Sequence, residues 1–217
     1  MINEKFNLKN KTALITGAAG LLGVEHALAL LESNCNLILT DIQLEKLLEL
    51  REYLVTIYSK SNIKIFELDV TSKESILNLY EKLQKLGIDI NILINNAALN
   101  PKVEKGDTEN NLSRFESFDL EAWNLELAVG LTGAFLCCQE AGKQMVKQKQ
   151  GVILNIGSVY GIVGCDQRIY GDSGINSSIA YATTKSGIVN FTKYLASYWQ
   201  GKNIRVNSLS PGGVENK

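Results

Sequence analysis

The chain has 217 residues, of which 45% are hydrophobic and 21% charged, and its formal net charge is −1. This composition excludes disordered and fibrous proteins and gives no electrostatic reason to expect nucleic acid or an anionic membrane as partner. No apolar run reaches the about 18 residues that span a bilayer, and Met1–Lys5 lacks the profile of a secretion signal. We therefore expect a single cytoplasmic domain, residues 1–217, that acts on a small molecule.

Short β-rich segments alternate with longer amphipathic segments along the chain. Strands are predicted at Thr12–Thr16, Asn36–Thr40, Ile63–Glu67, Ile90–Asn95, Gly151–Ile156 and Ile204–Ser208. Helices are predicted at Leu22–Glu32, Leu44–Tyr58, Lys73–Leu86, Leu120–Gln148 and Ala180–Gln200. This alternation predicts an α/β fold of three layers, in which a doubly wound parallel sheet of Rossmann type has helices on both faces.

Two segments interrupt the alternation. Asn100–Ser117 and Gly164–Ser178 have no clear period, and each follows the carboxyl end of a predicted strand. Ligands of open α/β sheets bind at that edge, so both segments are candidate walls of a substrate pocket. The alternative is that they are surface insertions without a function, which proteins tolerate readily.

A glycine-rich turn, Thr16–Gly23, connects the first strand to the first helix. The free N–H groups at the start of a helix attract an anion. Gly17 would allow the tight turn, Gly20 a close approach to a pyrophosphate, and Gly23 close packing of the helix. We count these glycines and Leu22 as cofactor-binding residues, although such turns also occur as plain connections.

An acidic residue, Asp41, ends the second strand, 18 positions after Gly23. A carboxylate at this point can accept hydrogen bonds from the adenosine ribose hydroxyls. It would repel a 2′-phosphate, and the glycine-rich turn holds no arginine to compensate, so NAD is favoured over NADP. The alternative is that Asp41 only caps the following helix.

Three polar residues are candidates for the chemical step. Tyr181 and Lys185 are spaced four positions apart at the start of a predicted helix, so both side chains point to one face. An ammonium near the phenol favours its ionised form and suits it to proton transfer. Ser158, at the end of the fifth strand, could hold a substrate oxygen beside the phenol.

The cysteines and histidine limit other chemistry. No C-x-x-C pair and no histidine cluster is present, so we predict buried thiols at Cys35, Cys137, Cys138 and Cys165, and no metal site. Because His26 is the only histidine, a histidine-based catalytic triad is almost excluded.

Together these residues resemble the short-chain dehydrogenase/reductase family, and the resemblance covers essentially the whole chain. Several of its motifs occur in the right order. They are the glycines Gly17, Gly20 and Gly23, the pair Asp69 and Val70, the motif Asn95–Ala98 with Asn95 and Ala97, the catalytic-type Ser158, Tyr181 and Lys185, and the turn at Pro211 and Gly212, which we extend to Val214.

The resemblance implies roles for these residues. Tyr181 would be the acid/base, Lys185 would bind the nicotinamide ribose and tune Tyr181, and Ser158 would orient the substrate. Hydride would pass between NAD(H) and a secondary alcohol or ketone. Family members pair through helices that correspond to 120–148 and 180–200, which implies a homodimer or homotetramer.

Four departures from the family pattern stand out. The glycine spacing is that of extended members, which act on nucleotide sugars, and Gly130 stands where the family has an asparagine at a helix kink. Ser158 and Tyr181 are farther apart in sequence than usual, because of the Gly164–Ser178 insertion. The family's seventh strand has no counterpart, so we expect the 217 residues to be a C-terminally incomplete piece of a longer enzyme.

The sequence is also compatible with two other functions. Gly130 and the missing strand fit a catalytically silent NAD-binding protein or subunit, and the glycine spacing alone suggests a sugar epimerase or dehydratase. Ala128–Gln139, Asp166–Lys185 and Pro211–Val214 resemble a branch of the family that includes flagellin modification protein A. That resemblance implies a sugar substrate in the synthesis of surface glycans.

Overall fold

The computed structural model describes residues 6–59, 61–99, 114–173 and 176–214. Within them, the strands are β1 (Thr12–Thr16), β2 (Asn36–Asp41), β3 (Ile63–Glu67), β4 (Ile92–Asn95), β5 (Gly151–Ile156) and β6 (Ile204–Leu209). The helices are α1 (Leu21–Glu32), α2 (Leu44–Ile57), α3 (Lys73–Lys85), α4 (Leu120–Leu127), α5 (Gly133–Gln148) and α6 (Ile179–Tyr198). Among the described helices, none is long and apolar enough to cross a bilayer.

The strands form one parallel sheet in the order β3-β2-β1-β4-β5-β6. The strand order reverses between β1 and β4, and this reversal opens a crevice at the carboxyl edge of the sheet. The predicted doubly wound Rossmann-type fold is therefore confirmed.

Helices cover both faces of the sheet, which explains why β1, β2 and β4 are nearly continuous apolar runs. On one face, Ile15 and Leu39 pack with residues of α1 and α2. On the other, Leu14, Ile38 and Leu93 pack with residues of α3, α5 and α6.

The predicted helix Leu120–Gln148 contains a break that periodicity did not predict. Ala128–Thr132 forms a single π-helical turn between α4 and α5, with the buried Gly130 at its centre. A π turn inserts one extra residue into a helix and frees main-chain groups from the regular ladder, and such turns are frequent at functional sites.

Of the two predicted loops, the second lies mostly within the described residues. Residues 100–113 lie outside the described residues, and Phe115–Ser117 forms a short 3-10 turn. In the second loop, Gln167–Ser173 is helical in 3-10 geometry and is interrupted at Gly171, whose φ is 53°.

One prediction about the cysteines was wrong. Cys35, Cys137 and Cys138 are buried as expected, and burial raises the pKa of the Cys137 thiol to about 12. Cys165 is partly exposed, because it lies in the segment between β5 and α6 rather than in the core.

Candidate active site

The glycine-rich turn follows β1 at the carboxyl edge of the sheet. Gly17 has a φ of +62°, and a Cβ there would lie 2.8 Å from the Ala97 Cα. Both the conformation and the close approach require glycine. The segment after β4, which carries Ala97, therefore lies directly against the turn.

The start of α1 leaves room for an anion. Gly20 is its N-cap residue, and no side chain caps the helix. A Cβ on Gly23 would lie 2.5 Å from the Gly17 carbonyl oxygen, so the helix can approach the turn only with glycine at this position. Leu22 lies between them in the first turn of α1, and its side chain is half-buried.

Two residues that brace this turn were not among the predicted site residues. The Asn96 side-chain amide donates to the carbonyl oxygens of Thr16 and Gly17 at 3.0 and 2.8 Å. The Thr16 hydroxyl oxygen accepts from the N–H groups of Asn96 and Ala97, both at 3.1 Å. In the sequence, the two consecutive asparagines of Asn95–Ala98 are the signal that could have pointed to Asn96.

Asp41 ends β2 beside the turn and is 8% exposed. Its Oδ2 accepts from the Ala19 N–H at 3.2 Å, and its Oδ1 from the Gln43 N–H at 3.1 Å. Asp41 therefore both fixes the glycine-rich turn and shapes the start of the α2 segment. A carboxylate oxygen can accept more than one hydrogen bond, so capacity remains for a ligand hydroxyl.

Asp69 and Val70 follow β3 at the same edge. The Asp69 carboxylate accepts from the backbone N–H and the hydroxyl of Thr71, at 2.8 and 2.6 Å. Val70 is buried, and a Cβ on Gly133 would lie 2.9 Å from the Val70 Cβ. The pair is thus held between β3 and the start of α5.

The Asn95 side chain, by contrast, points into the interior. Its amide donates to Asn155 Oδ1 at 2.8 Å and to Cys138 Sγ at 3.2 Å. The Asn155 amide in turn donates to the Thr192 hydroxyl at 2.9 Å. Asn95 therefore links β4 to β5 and, through Asn155, to α6, so its side chain is not directed at the cleft.

Ser158 follows β5 and is buried. Its Oγ accepts from the Tyr160 N–H at 3.2 Å, and the next residue, Val159, donates its N–H to the Pro211 carbonyl oxygen at 3.0 Å. The turn after β6, with Pro211, Gly212 and Val214, is thereby joined to the Ser158 segment.

Tyr181 and Lys185 lie on the first turns of α6. Lys185 is 5% exposed, and its Nζ donates to the Ile156 carbonyl oxygen at 2.7 Å while lying 5.5 Å from the centroid of the Tyr181 ring. Burial lowers the Lys185 pKa to about 8, because the charged form loses hydration. A cation, a phenol and the end of β5 thus meet in one place.

The segment after Ser158 packs tightly on this helix. A Cβ on Gly161 would lie 2.6 Å from the Lys185 carbonyl oxygen. The structure therefore brings the segment after Ser158 against the helix that carries Tyr181 and Lys185, despite the long insertion between them.

The buried carboxyl group of Glu126, a residue of α4, lies beside the start of α6. Ser178 caps the helix by accepting from the Tyr181 N–H at 3.2 Å, and its hydroxyl donates to Glu126 Oε2 at 2.7 Å. Burial raises the pKa of Glu126, and the hydrogen bond from Ser178 opposes this shift. Nothing in the sequence pattern connected these residues, which are 52 positions apart.

Comparison with known proteins gives a consistent result. The family profile described as short chain dehydrogenase matches residues 11–217. A 3-oxoacyl-(acyl-carrier-protein) reductase of Aquifex aeolicus is 32% identical over 97% of this chain and 77% of its own length. D-threitol dehydrogenase of Mycolicibacterium smegmatis is 30% identical over 97% of this chain and 72% of its own length.

Solved structures agree in fold. A crystal structure of NAD⁺-bound xylitol dehydrogenase has a TM-score of 0.80 at 28% identity, covering 96% of this chain and 71% of that one. A 3-oxoacyl-(acyl-carrier-protein) reductase with bound NAD from Brucella melitensis has a TM-score of 0.81 at 27% identity, covering 98% and 76%.

Members of this family are oxidoreductases that use nicotinamide cofactors and act on alcohol or ketone groups. The profile match spans nearly the whole chain, and the fold and the relatives agree with it. The chain belongs to the short-chain dehydrogenase/reductase family.

Proposed function

We propose that this chain transfers a hydride between NAD(H) and a secondary alcohol or ketone, with Tyr181, Lys185 and Ser158 as its catalytic residues. The main support for this proposal is the position of the buried Lys185 ammonium. It lies 2.7 Å from the Ile156 carbonyl oxygen and 5.5 Å from the Tyr181 ring centroid. Burying a lysine is costly, so a function explains a lysine at this position better than packing does.

The residues around the glycine-rich turn fit a dinucleotide. The start of α1 has no capping side chain, and Gly17 and Gly23 let the turn pack closely against Ala97 and the first turn of α1. A bound nicotinamide would supply or accept the hydride. Gly17, Gly20, Leu22, Gly23, Asp41, Asp69, Val70, Ala97, Pro211, Gly212 and Val214 would line its site, and Asn95 would support it from within.

The chain's own residues would handle the proton. In the reducing direction, the Tyr181 phenol donates its proton to the carbonyl oxygen of the substrate, and in the oxidising direction the phenolate accepts it. The Ser158 hydroxyl donates a hydrogen bond to the same oxygen. Lys185 stabilises the phenolate and holds a ribose hydroxyl.

We infer a preference for NAD from Asp41. Its carboxylate lies at the end of β2, beside the turn, where an adenosine ribose would approach. A 2′-phosphate at this point would meet a buried negative charge.

The proposed substrate is a polyol or a sugar, as in the synthesis of surface glycans. Among the relatives are a D-threitol dehydrogenase and, at 28% identity, an NAD-dependent glycerol dehydrogenase. The resemblance of Ala128–Gln139, Asp166–Lys185 and Pro211–Val214 to the branch of flagellin modification protein A supports a sugar substrate.

We also propose that the protein forms a homodimer or homotetramer through segments 120–148 and 180–200. Their outer faces expose large apolar side chains, and Tyr194 and Tyr198 are stacked with ring centroids 6.0 Å apart. Exposed apolar surface of this kind is typical of interfaces.

A second function is favoured by one observation. Gly130 lacks the side chain that the family carries at the kink, which suits a protein that binds NAD without turning over a substrate. The intact Ser158, Tyr181 and Lys185 speak against it, because binding alone does not need this trio.

Replacing Tyr181 distinguishes the two functions. We expect Tyr181→Phe to lower kcat on an active polyol or ketone by about 10²–10⁴-fold, because the proton donor is lost, while NADH still binds. Steady-state rates on a panel of polyols, sugars and ketones, with NADH fluorescence for binding, measure both. Full turnover by the variant would refute the mechanism, and NADH binding without turnover of any substrate would favour the silent protein.

A further inference from the structure

The catalytic-type helix α6 meets the π turn at an unusually close contact. A Cβ on Gly130 would lie 2.5 Å from Thr184 Cγ2, a distance at which something must move. Thr184 is the residue before Lys185 and is buried. The Thr184 methyl group therefore occupies the space that a side chain at position 130 would need.

Two more contacts fix α6 close to this point. Gly161 approaches the Lys185 carbonyl oxygen, to which a Cβ would lie at 2.6 Å, and Gly187 approaches the Leu131 side chain, to which a Cβ would lie at 2.9 Å. The helix is thus held from the Ser158 side by Gly161 and from the π-turn side by Gly130 and Leu131. Close packing of this kind transmits small displacements, because protein interiors have few voids.

We propose that Gly130 and Thr184 are a pair of positioning residues. Their contact sets the distance between α6 and the π turn, and therefore the positions of Tyr181 and Lys185 relative to Ser158. This inference rests on the proposed function of those three residues.

The methyl group of Thr184, rather than its hydroxyl, makes this contact. The atom nearest to the Gly130 position is Cγ2. Within the described part of the chain, Thr184 Oγ1 is buried and has no hydrogen-bond partner. Removing the hydroxyl should therefore have little effect on the position of α6, whereas removing the methyl group should leave a gap between α6 and the π turn.

The chain offers a matched control for the substitution Gly130→Ala. Gly142 lies on α5, in the helix that continues from the π turn, and a Cβ there would lie 2.5 Å from Trp199 Cζ2, just after the end of α6. Gly142→Ala therefore creates a clash of equal distance between the same two helical segments, but far from Tyr181. Both variants should lower Tm, and only Gly130→Ala should impair the site.

The first comparison measures kcat and the NADH Kd of the folded enzyme. Gly130→Ala should lower kcat about tenfold or more, since a displacement of about 1 Å at a reacting centre can cost 10²-fold, and it should weaken NADH binding through Lys185. The double variant Gly130→Ala with Thr184→Ser adds a methyl group at position 130 and removes the one at position 184 that it would clash with. It should therefore restore kcat to within about threefold of the wild type. Equal kcat and Kd in the Gly130→Ala and Gly142→Ala enzymes would overturn the proposal.

The second comparison does not depend on the folding of Gly130→Ala. Thr184→Ser deletes the methyl group, whereas the conservative Thr184→Val keeps it and deletes the hydroxyl. We expect the serine variant to lose kcat severalfold and the valine variant to retain more of it. The opposite order would show that the hydroxyl is the working group and would overturn the proposal.

Failure of the proposed function would look different. A wild-type enzyme that binds NADH but turns over no substrate would refute the function. The positioning pair would still be tested by the NADH Kd alone, which should rise for Gly130→Ala and not for Gly142→Ala.

Discussion

Asp41 illustrates how one side chain can serve the fold and the ligand together. Its two oxygens hold the N–H groups of Ala19 and Gln43, so the carboxylate is already oriented before any cofactor arrives. Orientation by existing hydrogen bonds lowers the entropic cost of binding. The same residue that shapes the glycine-rich turn would therefore set the choice between NAD and NADP.

Neutralising this charge tests the cofactor preference. We expect Asp41→Asn to raise the ratio of kcat/KM for NADP to that for NAD by about tenfold, because the charge that repels a 2′-phosphate is lost. The amide keeps an acceptor for one of the two backbone N–H groups, and Tm reports on the other. A selectivity equal to that of the wild type would show that Asp41 does not choose the cofactor.

Lys185 should make cofactor binding sensitive to alkaline pH. Burial lowers its pKa to about 8, so the ammonium loses its proton as pH rises through that value. The neutral amine cannot attract the polar ribose as strongly, and NADH Kd should therefore increase above pH 8. Fluorescence titrations between about pH 6.5 and 9.5 would show this.

The Lys185→Met variant is the control for this titration. It should bind NADH weakly at every pH and lack the inflection. An inflection near pH 8 that persists in the variant would assign it to another group.

At the scale of elements, Glu126 connects α4 to the start of α6. Its carboxyl group accepts a hydrogen bond from the Ser178 hydroxyl, and Ser178 in turn caps the helix that carries Tyr181. Because burial holds the Glu126 pKa above its unfolded value, the folded state keeps a proton that the unfolded state has lost. This contribution to stability is present at low pH and is lost as pH rises through the folded pKa.

The variant Glu126→Gln removes the titration and keeps an acceptor for Ser178. We expect its Tm relative to the wild type to increase between pH 5 and pH 8, because only the wild type must bury a charge at the higher pH. Thermal unfolding at both pH values measures the difference. A difference that shrinks with rising pH would contradict the assigned sign.

The strands and helices could be predicted from sequence because their signals are local. The strands β1, β2 and β4 are apolar runs that are almost wholly buried, and every observed strand begins and ends within two residues of its prediction. Periodicity did not predict the π turn, because the apolar spacing of Leu120–Gln148 continues across it. Gly130 marked the place, and only the structure shows what fills it.

The shared position of Tyr181 and Lys185 at the start of α6 could be predicted, because their motif is compact. Contacts between residues that are distant in sequence could not be predicted. Asn96 donates to the Gly17 carbonyl from 79 positions away, and although the doubled asparagine marks the segment, it does not indicate which residue Asn96 contacts. The inward orientation of Asn95 was equally hidden, because it depends on the neighbouring strand and on α5.

At the scale of the whole molecule, the outer face of α6 is the most testable feature. Phe191, Tyr194 and Tyr198 recur at spacings of three and four and so share one face of the helix. Phe135 of α5 reaches this face, with its ring centroid 6.4 Å from that of Phe191. These aromatic side chains would form the centre of the proposed interface.

A charge placed in this face should separate the subunits. We expect Tyr194→Arg to shift the protein toward the monomer in light scattering coupled to size exclusion, because two copies of the charge would meet across a two-fold interface. Lys193→Glu, on the same turn, is a control for changed surface charge. A dimer or tetramer of unchanged mass in the Tyr194→Arg variant would place the interface elsewhere.

The uneven exposure of the four thiols has a practical consequence. Cys35, Cys137 and Cys138 are buried, and only Cys165 reaches the surface, in the segment that separates Ser158 from Tyr181. A maleimide dye added to the native protein should therefore attach at a single position without any engineered cysteine. Its emission would report directly on whether that segment moves when a cofactor or a polyol binds.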